Sequence, residues 1–265
     1  MSEYPPPGHL LSSLGLASYG REDGFVVTES RVDPSLLTLV PGTPPGLGVL
    51  APMVDIGSAS AARRHLGDEW IVTSDMWVHE MSPIDIGSAE RISIVAWDLR
   101  IGKRSLVIGC EVAQGEREIA TGTLEFTRIR RDASPFKGRE LGTPGAPVPI
   151  GSGPLLDVDL GQVLQFEYGA DSVGLSRHAK VANSVGTLQG GAIAMLADAA
   201  AVHHMGGGRV VDLHFRFLGQ TGEGPAVGRC RTVRSDSAGA TVSVEIVDAS
   251  AADALVGWAI VRVET

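Results

Sequence analysis

Residues 183–201 read NSVGTLQGGAIAMLADAAA, and the helix they open runs on to Met205. From Ala192 to Ala201 the segment is apolar nearly all round, broken only by Asp198. A helix with no polar face is enclosed on all sides, and small side chains suit close approach to a sheet that wraps it. An ionised carboxylate is costly to bury without partners, so Asp198 is expected to be hydrogen-bonded, paired or protonated. The helix begins with Gly190-Gly191. Glycine is a poor helix former, but at a first turn it leaves unpaired N–H groups accessible at the positive end of the helix dipole. That geometry stabilises a carbonyl oxygen that gains charge. A tight turn needing positive φ would explain the glycine pair as well.

Outward from this helix the pattern repeats. Residues 210–218, 226–233, 241–248 and 255–263 follow it as runs rich in β-branched and aromatic residues, broken by turn formers, and so read as strands. In the first half, GVLAPMVDIGSASAARRH (48–65) reads as a helix and is followed by strand-like runs at 71–79, 92–99, 105–112 and 120–129. One further extended run precedes each helix, at 24–33 and 163–171. Asp55 stands seven residues after Gly48, as Asp198 does after Gly191, and Asp75-Met76 and Asp212-Leu213 open matching strands. The expected organisation is an N-terminal arm (1–23), a first domain (24–130), a Pro/Gly/Ser-rich linker (131–154) and a second domain (155–265).

Composition narrows the function classes. The 265 residues are 43% hydrophobic, enough for two cores, and carry 22 Lys+Arg against 31 Asp+Glu, a net charge of −9. That balance argues against nucleic acid as the main partner. Cys110 and Cys230 are too few for a disulfide framework or a cysteine zinc site. No apolar run approaches the roughly 20 residues of a membrane span, and the N-terminus lacks a signal pattern, so a cytoplasmic protein is expected. His203-His204 suits the C-terminal end of the second helix. His79 and His214 lie in strands and read as packed or exposed.

The stretch 183–201 resembles the signature of hotdog-fold acyl-CoA thioesterases of the phenylacetate-pathway and 4-hydroxybenzoyl-CoA type. Their pattern is Asn-x-x-Gly-x-x-His-Gly-Gly before an apolar helix bearing Asp or Glu. Asn183, Gly186, Gly190, Gly191 and Asp198 fall on it, and Gln189 stands where the family often has His. The resemblance implies an α+β fold of two tandem hotdog domains, each an antiparallel sheet wrapped around a central helix, paired as a pseudo-dimer. It also implies sites built across the pair, with loop and amide from one unit and carboxylate from the other.

Carried over residue by residue, this gives one complete site: Asp55 as base or nucleophile, Thr73 on the following strand, and Asn183, Gln189, Gly190 and Gly191 from the second half. Asn183 is expected to position the carboxylate or the water. The opposite site, with Asp198 and Gly48, is expected to be degenerate, because Val40, Gly46 and Leu47 replace the loop residues and Val211 takes the place of Thr73. Arg63 and Arg64 are candidates for coenzyme A phosphates. The implied activity is hydrolysis of an acyl-CoA, with no metal and no cofactor beyond the coenzyme A of the substrate. One chain already makes the basic hotdog pair, and further pairing would resemble a homodimer of double hotdogs. Gln189 in place of His also fits a non-catalytic acyl-CoA-binding or regulatory hotdog protein. A hydratase ranks lower, since Asp171 and His178 lack the spacing and context of its Asp/His pair.

Overall fold

A computed structural model describes residues 4–67, 69–129 and 141–265. Thirteen strands form one antiparallel sheet. They are β1 (Ala17–Gly20), β2 (Val26–Glu29), β3 (Trp70–Glu80), β4 (Ile92–Ile101), β5 (Ser105–Gln114), β6 (Arg117–Ile129), β7 (Val148–Pro149), β8 (Glu167–Tyr168), β9 (Ser172–Leu175), β10 (Arg209–Phe217), β11 (Ala226–Asp236), β12 (Gly239–Asp248) and β13 (Ala254–Glu264). Four helices accompany them: α1 (Leu10–Ser13), α2 (Ala51–Ala62), α3 (Leu160–Leu164) and α4 (Gly190–Met205).

The sheet order is β7-β1-β2-β4-β5-β6-β3-β10-β13-β12-β11-β9-β8. It mirrors itself about the β3–β10 junction: β3, β6, β5, β4, β2 on one side match β10, β13, β12, β11, β9 on the other. The register at the junction has the same symmetry. Trp77 pairs with His214 at its centre, Asp75 with Arg216 on one side and His79 with Asp212 on the other. Each of the two strands also carries a bulge two residues inside its start-side aspartate run, between Thr73 and Asp75 and between Val210 and Asp212. Aligning Asp75 with Asp212 therefore sets Thr73 against Val210. This corrects the expectation of Val211, because the bulge residues Ser74 and Val211 are the ones that correspond.

Alternation builds the core. On β4, Ile92, Ile94 and Ala96 are buried, and on β12, Val242, Val244 and Ile246; a period of two turns these residues to the helix-facing side. Their burial removes water from α2 and α4. Every residue of α4 from Gly191 to Val202 is buried, which is the environment its composition demands. The two helices touch near their starts. A Cβ on Gly191 would lie 2.5 Å from Pro52 Cα, so only glycine allows this approach.

The N-terminal segment is part of the body, not a separate arm. Leu10, Leu11, Leu14 and Leu16 are in the core, and β1 pairs with both β2 and β7. The stretch expected to be linker thus contributes a strand at Val148–Pro149, while residues 131–140 lie outside the described residues. The run 163–171 is not continuously extended. It starts in α3, which Gln165 ends at φ 56°, and only Glu167–Tyr168 is strand.

Candidate active site

Pro52 in the first turn of α2 sits against Gly191 in the first turn of α4, and this contact decides what Asp55 faces. One turn into α2, its carboxylate points at the beginning of α4. Oδ1 accepts a hydrogen bond from Thr73 Oγ1 at 2.6 Å, and Oδ2 accepts one from Gln189 Nε2 at 3.0 Å. Asp55 Oδ2 would be 3.5 Å from a Cβ built on Gly190. Three chain segments therefore converge on one carboxylate: α2, the bulged start of β3, and the N-terminus of α4.

Gln189 is the N-cap of α4. Its Oε1 accepts from Ala192 N at 2.8 Å, which satisfies one of the unpaired donors of the first turn. With its oxygen engaged by the helix, the glutamine has only its NH2 to offer Asp55. The Gly190 and Gly191 N–H groups have no hydrogen-bond partner among the described residues. Burial pushes the Asp55 carboxyl up to about 6, against the opposing pull of the Thr73 hydrogen bond. The group is ionised at neutral pH yet basic enough to accept a proton.

Asn183 does not reach Asp55. Its Oδ1 accepts from Val185 N and Thr187 N, both at 3.0 Å, and its Nδ2 donates to Thr187 Oγ1 at 2.6 Å and Leu188 O at 3.3 Å. All of its polar capacity is spent on its own turn, so it shapes the loop that delivers Gln189 instead of holding the carboxylate.

Asp55, Thr73, Asn183, Gln189 and Gly190 all border one cavity of about 730 Å3, within the range of small-molecule sites. Arg63 and Arg64 border it too. Arg64 is committed to the protein, however: it donates to Gly24 O and Ala61 O and pairs with Asp98 at 3.2 Å. Tyr4 also lines the cavity. Sequence reading missed it, since a tyrosine before three prolines carries no periodic signal.

Asp198, the counterpart of Asp55, meets a different environment. Its Oδ2 accepts from Gly48 N at 2.7 Å, and it is 2% exposed. A Cβ on Gly48 would come within 2.4 Å of Asp198 Cβ, so the chain closes directly over the carboxylate. Val210, at the position equivalent to Thr73, offers no hydroxyl. Burial pushes this carboxyl up to about 7. The remaining candidates are structural. His203 Nε2 meets Gly169 O at 2.8 Å, and His79 and His214 are tied to Asp212 and Asp75. Among the described residues, no three His, Cys, Asp or Glu side chains converge as metal ligands do.

Residues 179–262 match the family described as the acyl-CoA thioesterase N-terminal domain. The chain is a hotdog-fold protein with an acyl-CoA thioesterase domain. That match supports a thioester hydrolase. Among solved structures it is similar to a candidate thioesterase from Novosphingobium aromaticivorans, at 16% identity and TM-score 0.60, over 94% of this chain and 98% of the other. It is likewise similar to an acyl-ACP thioesterase from Bacteroides thetaiotaomicron, at 12% identity and TM-score 0.58, over 92% and 99%. A TesB protein from Mycobacterium avium subspecies paratuberculosis aligns at 13% identity and TM-score 0.60, over 96% and 98%. At these identities the likeness speaks to the hotdog fold. No curated protein matches the sequence.

Proposed function

We propose that the chain is two tandem hotdog units, 24–130 and 155–265, paired within one polypeptide, and that it hydrolyses acyl-CoA at a single composite site. The observation that carries this reading is the Asp55–Gln189 hydrogen bond, which joins a first-half carboxylate to the second-half helix start inside the cavity. Above about pH 6, Asp55 is ionised and takes a proton from a water molecule. The water oxygen adds to the thioester carbonyl carbon while the Gly190 N–H, at the positive end of α4, stabilises the developing oxyanion. The tetrahedral adduct then breaks its C–S bond, and the proton held by Asp55 passes to the departing thiolate. Free acid and coenzyme A result. Direct attack by the same carboxylate would pass through an anhydride, and water opening that anhydride at the Asp55 carbonyl would leave one solvent oxygen in Asp55, which mass spectrometry after a single turnover in labelled water reads directly.

Thr73 and Gln189 fix the carboxylate's rotamer, and the Thr73 hydrogen bond lowers its pKa from what burial alone would impose. Gln189 transfers no proton in this scheme; it holds the base and caps the helix. Asp198 is assigned no part in the chemistry. The test is thiol release from a panel of short, long and aromatic acyl-CoAs by wild type, Asp55→Asn and Asp198→Asn. Asp55→Asn is expected to lose about 100-fold or more, and Asp198→Asn to stay active. An inactive Asp198→Asn beside an active Asp55→Asn overturns the assignment. No thiol release from any substrate by the wild type points instead to a binding protein.

A further inference from the structure

The cavity extends past the reacting groups and takes its lining from both halves of the chain. On the second-half side it is edged by Ser184, Thr187 and Gln220. On the first-half side it follows α2, bordered by Ile56, Ala59, Ile71 and Phe126. From Asp55 to Arg63 the lining face of α2 spans eight residues, about 12 Å at the helical rise, with Ile56 and Ala59 followed by Ser60 and the arginine. That length suits a medium-chain alkyl group better than an acetyl group.

The N-terminal segment contributes Tyr4 and Leu11 to the same cavity. It is firmly held there. Leu10 N donates to Lys180 O at 2.8 Å, and His9 Nε2 meets Ala182 O at 2.9 Å. His9 Nδ1 accepts from Leu11 N at 3.2 Å, so the ring is neutral with its proton on Nε2. Tyr4 stacks edge-on against His9 with ring centroids 5.2 Å apart. Leu10, Leu11 and Leu14 are fully buried. The segment thus joins the cavity wall to the turn just before the Asn183 loop. Tyr4 is close enough to the reacting carboxylate that burial and the charge of Asp55 both push its phenol upward, keeping it neutral.

Resting on the hydrolytic reading of Asp55, we propose that residues 4–14 are a fixed wall of the acyl-chain site and that Tyr4 is a specificity-determining residue for medium-chain aliphatic acyl thioesters. A ring at this position bounds the space open to the chain. Removing it lengthens the chain the site accepts, and filling the α2 side with a larger residue shortens it.

The experiment measures two quantities for straight chains of graded length: kcat/KM by thiol release from acyl-CoAs, and Kd by calorimetry with the corresponding free fatty acids. Wild type, Tyr4→Phe, Tyr4→Ala and Ile56→Trp are compared after their folding is checked by circular dichroism. Wild type should show a length cut-off, with each methylene beyond it costing about tenfold. Tyr4→Ala should move the cut-off to longer chains, Tyr4→Phe should leave it in place, and Ile56→Trp should move it to shorter ones. A cut-off that is the same in wild type and Tyr4→Ala overturns the proposal, as does the absence of any length-dependent binding. Graded binding that responds to Tyr4→Ala without thiol release from any chain supports the wall and overturns the hydrolytic reading alone.

Discussion

Thr73→Val should move the acid limb of the pH–rate profile upward. In the folded protein, burial raises the Asp55 carboxyl to about 6 and the 2.6 Å hydrogen bond from Thr73 Oγ1 works against that rise. A hydrogen bond to a charged group contributes about 1.5–3 kcal/mol. Each pKa unit corresponds to about 1.4 kcal/mol, so losing the lower figure raises the carboxyl by about one unit, to roughly 7. The active form is the carboxylate, so at pH 7 the ionised fraction falls from about nine-tenths to about one-half. Activity at pH 7 should fall about twofold from protonation alone and recover by pH 8.5. Thr73→Ser keeps the hydroxyl and should leave the limb near pH 6. The assay is kcat/KM for one acyl-CoA from pH 4.5 to 9, fitted for the acidic midpoint. A uniformly lowered plateau with an unmoved midpoint would refute the reasoning, since it would show that Thr73 shapes the site without touching the proton affinity of Asp55.

Other outcomes follow from the same geometry. Asp198 has a folded pKa raised to about 7 from 3.8, so the native state holds its proton more tightly; its stabilising contribution is full at pH 4 and lost as pH rises through 7. Asp198→Asn removes that dependence, and its Tm should exceed the wild-type value at pH 8, by a margin on the order of a few kcal/mol of stability, while converging with it at pH 4. Gly191→Ala drives a methyl into the Pro52 backbone and should cost about 1–3 kcal/mol in chemical denaturation, because the helix starts must separate. Gly190→Ala meets only Phe217 and Asp55 Oδ2, at 3.4 and 3.5 Å, so it should fold with near-native Tm yet lose about tenfold or more in kcat by crowding the oxyanion position.

The long elements were readable because their side chains leave little choice. α4 has no face it could show to water, so its enclosure by a sheet follows, and the helix spans the stretch Gly190–Met205 that the sequence implies. The eight long strands fall close to their expected runs, since β-branched alternation is strong there. The short edge strands were hidden. Ala17–Gly20 and Val148–Pro149 hold too few residues to show a period, and they become strands by pairing, the first with β2 along its whole length and the second with β1 at the sheet edge. α3 is a similar case, a single turn of Leu-Gly-Gln-Val-Leu stabilised by burial of its leucines.

Within the site, the meeting of Asp55 and Thr73 was legible through the resemblance, which sets a helix carboxylate beside a hydroxyl on the following strand. The role of Asn183 was misread, since a motif position does not say whether an amide turns toward the substrate or back onto its own loop. The ion pair of Arg64 was hidden for a related reason: its partner Asp98 lies on β4, and no local pattern reveals a contact across that distance.

Asp55 opens to a cavity while Asp198 is sealed beneath Gly48. In an assembly of two identical chains, any substitution is copied into both places, so neither carboxylate can take up a separate task. A continuous polypeptide lifts that constraint: one acid can face a cavity while the other is enclosed by the chain. The asymmetry between the two aspartates is the trace such freedom leaves.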